Sequence, residues 1–139
     1  MAQSMAHTAE GAFAVEQSAP AHQAYQILRF AFTVAPLIAG IDKFLHLLVN
    51  WDQYLAPWIA NASPISPHNL MLIAGVIEIV AGVLVALKPR IFAYVVAIWL
   101  ALIIVNLLSM GLYFDIALRD FGLLLGAIAL GRLAATYDR

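Results

Sequence analysis

The chain has 139 residues, 64% of them hydrophobic and 11% charged, with a mean hydropathy of +0.91. Soluble domains carry about 25% charged residues, so this composition excludes an ordinary water-facing surface and points to lipid. A formal net charge of −1 offers nucleic acid no basic footprint, and the lack of cysteine excludes thiolate chemistry carried by this chain alone.

Residues 1–23 are rich in Ala, Gln, Ser and Thr and contain no Lys or Arg. A signal or transit peptide needs a cationic region, so neither fits. The composition predicts a polar, mobile tail. Residues 24–135 then read as one transmembrane domain with spans at about 25–49, 70–87, 91–110 and 112–134, followed by a short C-terminal tail at 136–139. Each span is near the ~20 residues that cross a bilayer core. The expected fold class is all-α, an integral membrane four-helix bundle. Arg29, Lys88, Arg90, Arg132 and Arg139 fall on one side if the termini share it, which places both termini in the cytoplasm.

The first connection between spans is the longest. Trp51, Tyr54 and Trp58 recur there at helical spacing, which predicts a short interfacial helix with an aromatic rim. Such a rim acts as an anchor belt or as a lid over a lipid-soluble ligand. "KPR" at Lys88 to Arg90 is a tight turn in which Pro89 stops one helix and starts the next. Gly122 and Gly126 form a GxxxG pair and Gly75 and Gly82 lie a heptad apart, both suited to close helix approach or self-association.

Ionisable groups inside spans are costly and normally face inward and pair. At ~1.5 Å per residue, Asp42, Lys43, His46, Glu78, Asn106, Arg119 and Asp120 all fall in the outer half of the bilayer. Asp42 and His46 are i, i+4 neighbours, as are Asp115 and Arg119, while Lys43 projects about 100° away from Asp42. Two readings remain open: a polar clasp that holds helices in register, or a ligand or proton site. Three carboxyls (Asp42, Glu78, Asp120) against two cations (Lys43, Arg119) leave one carboxyl to hold a proton. Glu78, alone on an apolar helix, is the candidate proton carrier. A metal held by Asp42, His46 and Glu78, and a haem between His46 and His68, rank well below these. No metal and no covalently bound cofactor are expected.

Gly40 and Lys43 in "AGIDKF", Glu78 and Gly82 in "GVIEIVAG", and Asp120 in "LRDFGLLLGAIAL" stand in an order that resembles the DoxX-like family of small four-helix bacterial membrane proteins. The resemblance covers about residues 27 to 133. It implies a multi-pass protein of the bacterial cytoplasmic (inner) membrane, a subunit of a quinone-linked redox or respiratory complex, with Lys43, Glu78 and Asp120 lining a quinone or polar site. Partners would be the lipid bilayer and other membrane subunits. The alternative is a purely structural accessory subunit that docks a larger assembly. A small-solute transporter is the third class, since four helices build a pathway only by oligomerising.

Overall fold

The computed structural model describes the backbone of residues 2–137 and the side chains of residues 19–137. In chain order it contains α1 (Ala2–Leu45), a 3-10 turn (Trp51–Tyr54), α2 (Pro57–Ala62), α3 (Pro67–Leu87), α4 (Pro89–Met110) and α5 (Phe114–Tyr137). No strand occurs among the described residues. The helical class expected from composition is therefore present, with shifted boundaries. α1 runs back through most of the segment expected to be a tail, and it ends at Leu45 rather than near Val49.

Local chemistry accounts for each stop and start. His46 takes a left-handed conformation, φ 54°, which a helix cannot continue. Ser66 caps α3 by accepting a hydrogen bond from the Asn69 amide at 3.3 Å, and Pro67 fills the first helical position, where no amide is needed. Lys88 ends α3 by donating its amide to the Leu84 carbonyl, and Pro89 then opens α4. α4 stops at Gly111, φ 69°, a left-handed position that glycine occupies without steric cost.

One residue joins α3 to α4 and three join α4 to α5, so these helices alternate in direction. α1 lies mainly along α3 and α4 along α5, with further contact between α1 and α5 and between α3 and α4. Stacking of Tyr25 on Tyr137, 5.5 Å between ring centroids, brings α1 beside the last turn of α5. Arg29 donates to the Ala86 carbonyl and ties the end of α3 to the same level. The bundle thus has a terminal end and a connection end. Its core is built from Phe32, Val85, Val96, Leu100, Leu130 and several alanines.

Glycine sets the spacing of α1 and α3. A methyl group at Gly40 would sit 2.6 Å from the Gly75 carbonyl oxygen, and one at Gly75 would sit 2.9 Å from that of Gly40. Gly82 bears on the Thr33 carbonyl in the same way, at 2.8 Å. Such backbone contact is how helices associate when lipid removes the hydrophobic drive between them. The Gly75 and Gly82 spacing is therefore a real packing face. Of the GxxxG pair, Gly126 packs on Phe32 of its own chain, and nothing in the described chain lies within 4 Å of a methyl at Gly122.

Three helical stretches are long and apolar enough to cross a membrane: Ala19–Leu45, Pro67–Leu87 and Pro89–Met110. α5 has the length but carries Asp115, Arg119, Asp120 and Arg132. Outward-facing positions such as Ile98, Leu102, Val105 and Leu118 are more than half exposed. So much apolar surface suits hydrocarbon rather than water.

Because the α1–α3 contact is backbone on backbone, Gly40→Ala should lower the thermal unfolding midpoint in detergent by an amount matching about 1–3 kcal/mol of overpacking. Gly122→Ala should leave it unchanged. Equal midpoints for both variants would show that the Gly40–Gly75 approach does not govern the bundle.

Candidate functional site

The polar centre grows directly from the glycine contact. Lys43 stands three residues after Gly40 on α1, and Glu78 three residues after Gly75 on α3. Helical side chains lean toward the N-terminus of their own helix. In antiparallel helices that tilt points Lys43 and Glu78 at one another, across the surface left bare by Gly75. Lys43 Nζ and Glu78 Oε2 meet at 2.7 Å, with both residues buried. The second carboxylate oxygen of Glu78 accepts from Trp99 Nε1 of α4 at 3.2 Å. Three helices therefore converge on one carboxylate.

The ammonium is closed over from the connection end. Lys43 Nζ lies 4.0 Å from the centroid of the Trp51 ring, within cation–π range. Trp51 Nε1 in turn donates to Asp42 Oδ2 at 2.7 Å. Asp42 also accepts from the amides of Leu47 and Leu48, at 2.9 and 3.1 Å to Oδ1. A carboxylate near a helix C-terminus faces the negative end of the helix dipole. Here the two amides and one indole offset that field with direct donors.

A second set of bonds fastens the connection to α4. Asn106 Oδ1 accepts from the Ala56 amide at 2.9 Å, and Asn106 Nδ2 donates to the Tyr54 carbonyl at 2.5 Å. Trp58 Nε1 donates to Ser109 Oγ at 2.8 Å. Tyr54 packs edge-on against Tyr113, 4.9 Å between centroids. His68 Nδ1 lies 3.0 Å from Asp52 Oδ2, and the His68 ring stacks on His46 at 5.5 Å. The connection is bonded down at several separate points.

Several sequence expectations change accordingly. The aromatic stripe is not one interfacial helix but a 3-10 turn, a bend at Leu55 and Ala56, and the six-residue α2. Trp51 faces inward as a cap on Lys43, while Tyr54 and Trp58 bind α4 or its flank. His46 does not share a helix face with Asp42, because α1 has already ended. Stacked face to face, His46 and His68 leave no room for an iron between them, and Asp42 and Glu78 are engaged apart from them. Among the described residues no group of three or more His, Asp, Glu or Cys could hold a metal.

Arg119 does not join the cluster. Its side chain is 65% exposed, and its Nε contacts only the adjacent, buried Asp120 at 3.5 Å. No described contact links Asp120 to Lys43 or Glu78. Glu78, the one charge on its helix, is held by both Lys43 and Trp99. Asn106 serves the connection rather than a ligand-facing set. Trp99 was missed altogether, since it lies in a span without charge. The available signal was its indole N–H, which normally finds a partner when buried.

In comparisons with protein-family models, curated proteins and solved structures, nothing matches this chain.

Removing one member of a buried pair strands the other, at a typical cost of about 3–5 kcal/mol. Lys43→Met should accordingly depress the unfolding midpoint in detergent strongly. The double variant Lys43→Met/Glu78→Met should recover much of the loss, and Arg119→Met should remain near wild type. Comparable losses from Lys43→Met and Arg119→Met would overturn this picture of the network.

Proposed function

We propose that this chain is a small integral membrane protein in which α1, α3, α4 and α5 all cross the bilayer, and that it serves as an accessory subunit docking a larger membrane assembly. The observation that carries this reading is the use of the polar groups. Lys43, Glu78, Asp42 and Asn106 all bond within the chain and tie α1, α3 and α4 to the first connection. That is the behaviour of a clasp. The charged face of α5 becomes tolerable in lipid when it meets other protein or reaches the interface, which supports a partnered subunit.

A second reading is favoured by one feature. The Lys43–Glu78 pair touches two indoles, Trp51 above the ammonium and Trp99 on the carboxylate. Flat aromatic walls beside a donor cation suit a quinone head group. The Gly40–Lys43, Glu78–Gly82 and Asp120 pattern gives the same DoxX-like, quinone-linked reading in a bacterial inner membrane. In that case Lys43 would donate to a quinone carbonyl and Glu78 would hold or release the proton that quinone chemistry needs.

Orientation is tested by labelling. The basic Lys88–Arg90 turn at the terminal end supports a cytoplasmic location for both termini. Ser63→Cys should react with an impermeant thiol reagent in intact cells, and Ser18→Cys only after permeabilisation. The opposite pattern would reverse the assignment.

The two functional readings separate on purification in mild detergent from the native membrane. The docking reading expects a stable larger protein to co-purify and Glu78→Gln to lower thermal stability while surviving protein keeps the host activity. The quinone reading expects retained quinone that falls on Trp51→Ala, and a well-assembled but inactive Glu78→Gln. Purification of a folded chain with neither partner nor quinone would defeat both.

A further inference from the structure

The two faces of α5 divide cleanly. Ala117, Asp120, Ala127 and Ala134 are buried against the rest of the bundle. Asp115, Leu118, Gly122, Leu125 and Ala129 are exposed and recur at alternating steps of three and four residues. That spacing is a heptad seam, and it lies on the side of α5 opposite the buried set. Leu118 and Leu125 are 72% and 52% exposed. The seam uses Gly122 with Ala129 rather than with Gly126, which is turned onto Phe32.

Charge decides what fits this face. Asp115 is exposed in the first turn, and Arg119, one turn later on the flank of the seam, has a side chain that is 65% exposed. Helical side chains lean toward the N-terminus of their own helix, so Arg119 leans to the level of Asp115. Two copies inserted the same way in one bilayer are related by a two-fold axis along its normal. Their α5 helices then run parallel, and each contact occurs twice. Arg119 meets the partner's Asp115, and the partner's Arg119 returns the contact. Two aspartates that would otherwise repel across the axis are each matched by an arginine. A different protein would have to supply both charges in complementary order at the same spacing. A second copy has them already.

We propose that α5 pairs with α5 of a second copy of this chain through the Asp115–Ala129 seam, with Asp115 and Arg119 exchanged across the two-fold axis. The proposal rests on the reading that α5 crosses the bilayer, and it names the partner of the charged α5 face. Between Leu118 and Leu125, Gly122 lets the two backbones approach. The spacing of Gly122 and Ala129 is that of Gly75 and Gly82, where α3 already takes α1 onto its backbone.

The chain has no cysteine, so single cysteines report proximity in the native membrane. Leu118→Cys and Leu125→Cys should oxidise to disulfide-linked homodimers. Ile98→Cys and Leu102→Cys, on the exposed face of α4, should not. In the Leu125→Cys background, Asp115→Arg and Arg119→Asp should each weaken dimerisation by about fivefold, because two exposed ion pairs give way to repulsion. The combined swap Asp115→Arg/Arg119→Asp should restore it, which a loss of fold would not allow. Helix content by circular dichroism checks each variant. Cross-linking from α5 no higher than from α4 would overturn the dimer. So would charge reversals that leave it undiminished, a swap that fails to restore it, or capture of another membrane protein in place of the homodimer. Sedimentation of carbonate-washed membranes separates these failures from failure of the membrane reading. Retention in the pellet without α5 cross-links defeats the dimer alone, whereas release into the wash defeats both.

Discussion

Burying a lysine and a glutamate in an apolar bundle is the constraint on which the rest of the structure turns. Each charge alone is expensive out of water, so the two must meet at hydrogen-bond distance and every remaining donor and acceptor must be filled. Many features follow from that demand. Gly40 and Gly75 bring α1 and α3 close enough for the meeting, Trp99 fills the free oxygen of Glu78, and Trp51 lies over the ammonium. Trp51 needs its own acceptor, which is Asp42, and Asp42 then gathers the amides of Leu47 and Leu48. The connection is shaped by the charge it covers.

Such a network contributes less to net stability than to uniqueness. An ion pair in a low-dielectric site can be replaced by packed hydrocarbon without loss, yet breaking half of it is costly. For helices whose outer faces are mostly leucine, isoleucine and valine, apolar packing alone leaves many registers nearly equal. A single fixed pair, with glycines on the same face, distinguishes one register from those a turn away.

Much of this was legible in the residues. Hydropathy separated the long helices, and depth counting set Lys43 and Arg119 at the level of Asp42, Glu78 and Asp120, a group that contains the pair that forms. Depth counting has a blind side, however. It gives height along a helix and says nothing of azimuth, which is why Arg119, at a suitable height, was grouped with a cluster it turns away from. The end of α1 was hidden for another reason. His46 adopts a left-handed conformation with no glycine to announce it, so the apolar run through Val49 read as continuing helix. Trp51 was ambiguous in kind, because an indole at a lipid interface and an indole capping a buried cation have the same spacing and the same neighbours.

The bonds around Asp42 and those around Lys43 differ in how far apart their partners lie in the chain. Asp42 finds its donors at Leu47, Leu48 and Trp51, nine residues away at most, while Lys43 must wait for Glu78, 35 residues later. During synthesis the aspartate is therefore satisfied as soon as the segment just after α1 has emerged. The lysine sits one position beyond it with only the Trp51 ring for company until α3 is made. Adjacent residues thus find their partners at very different lengths of emerged chain.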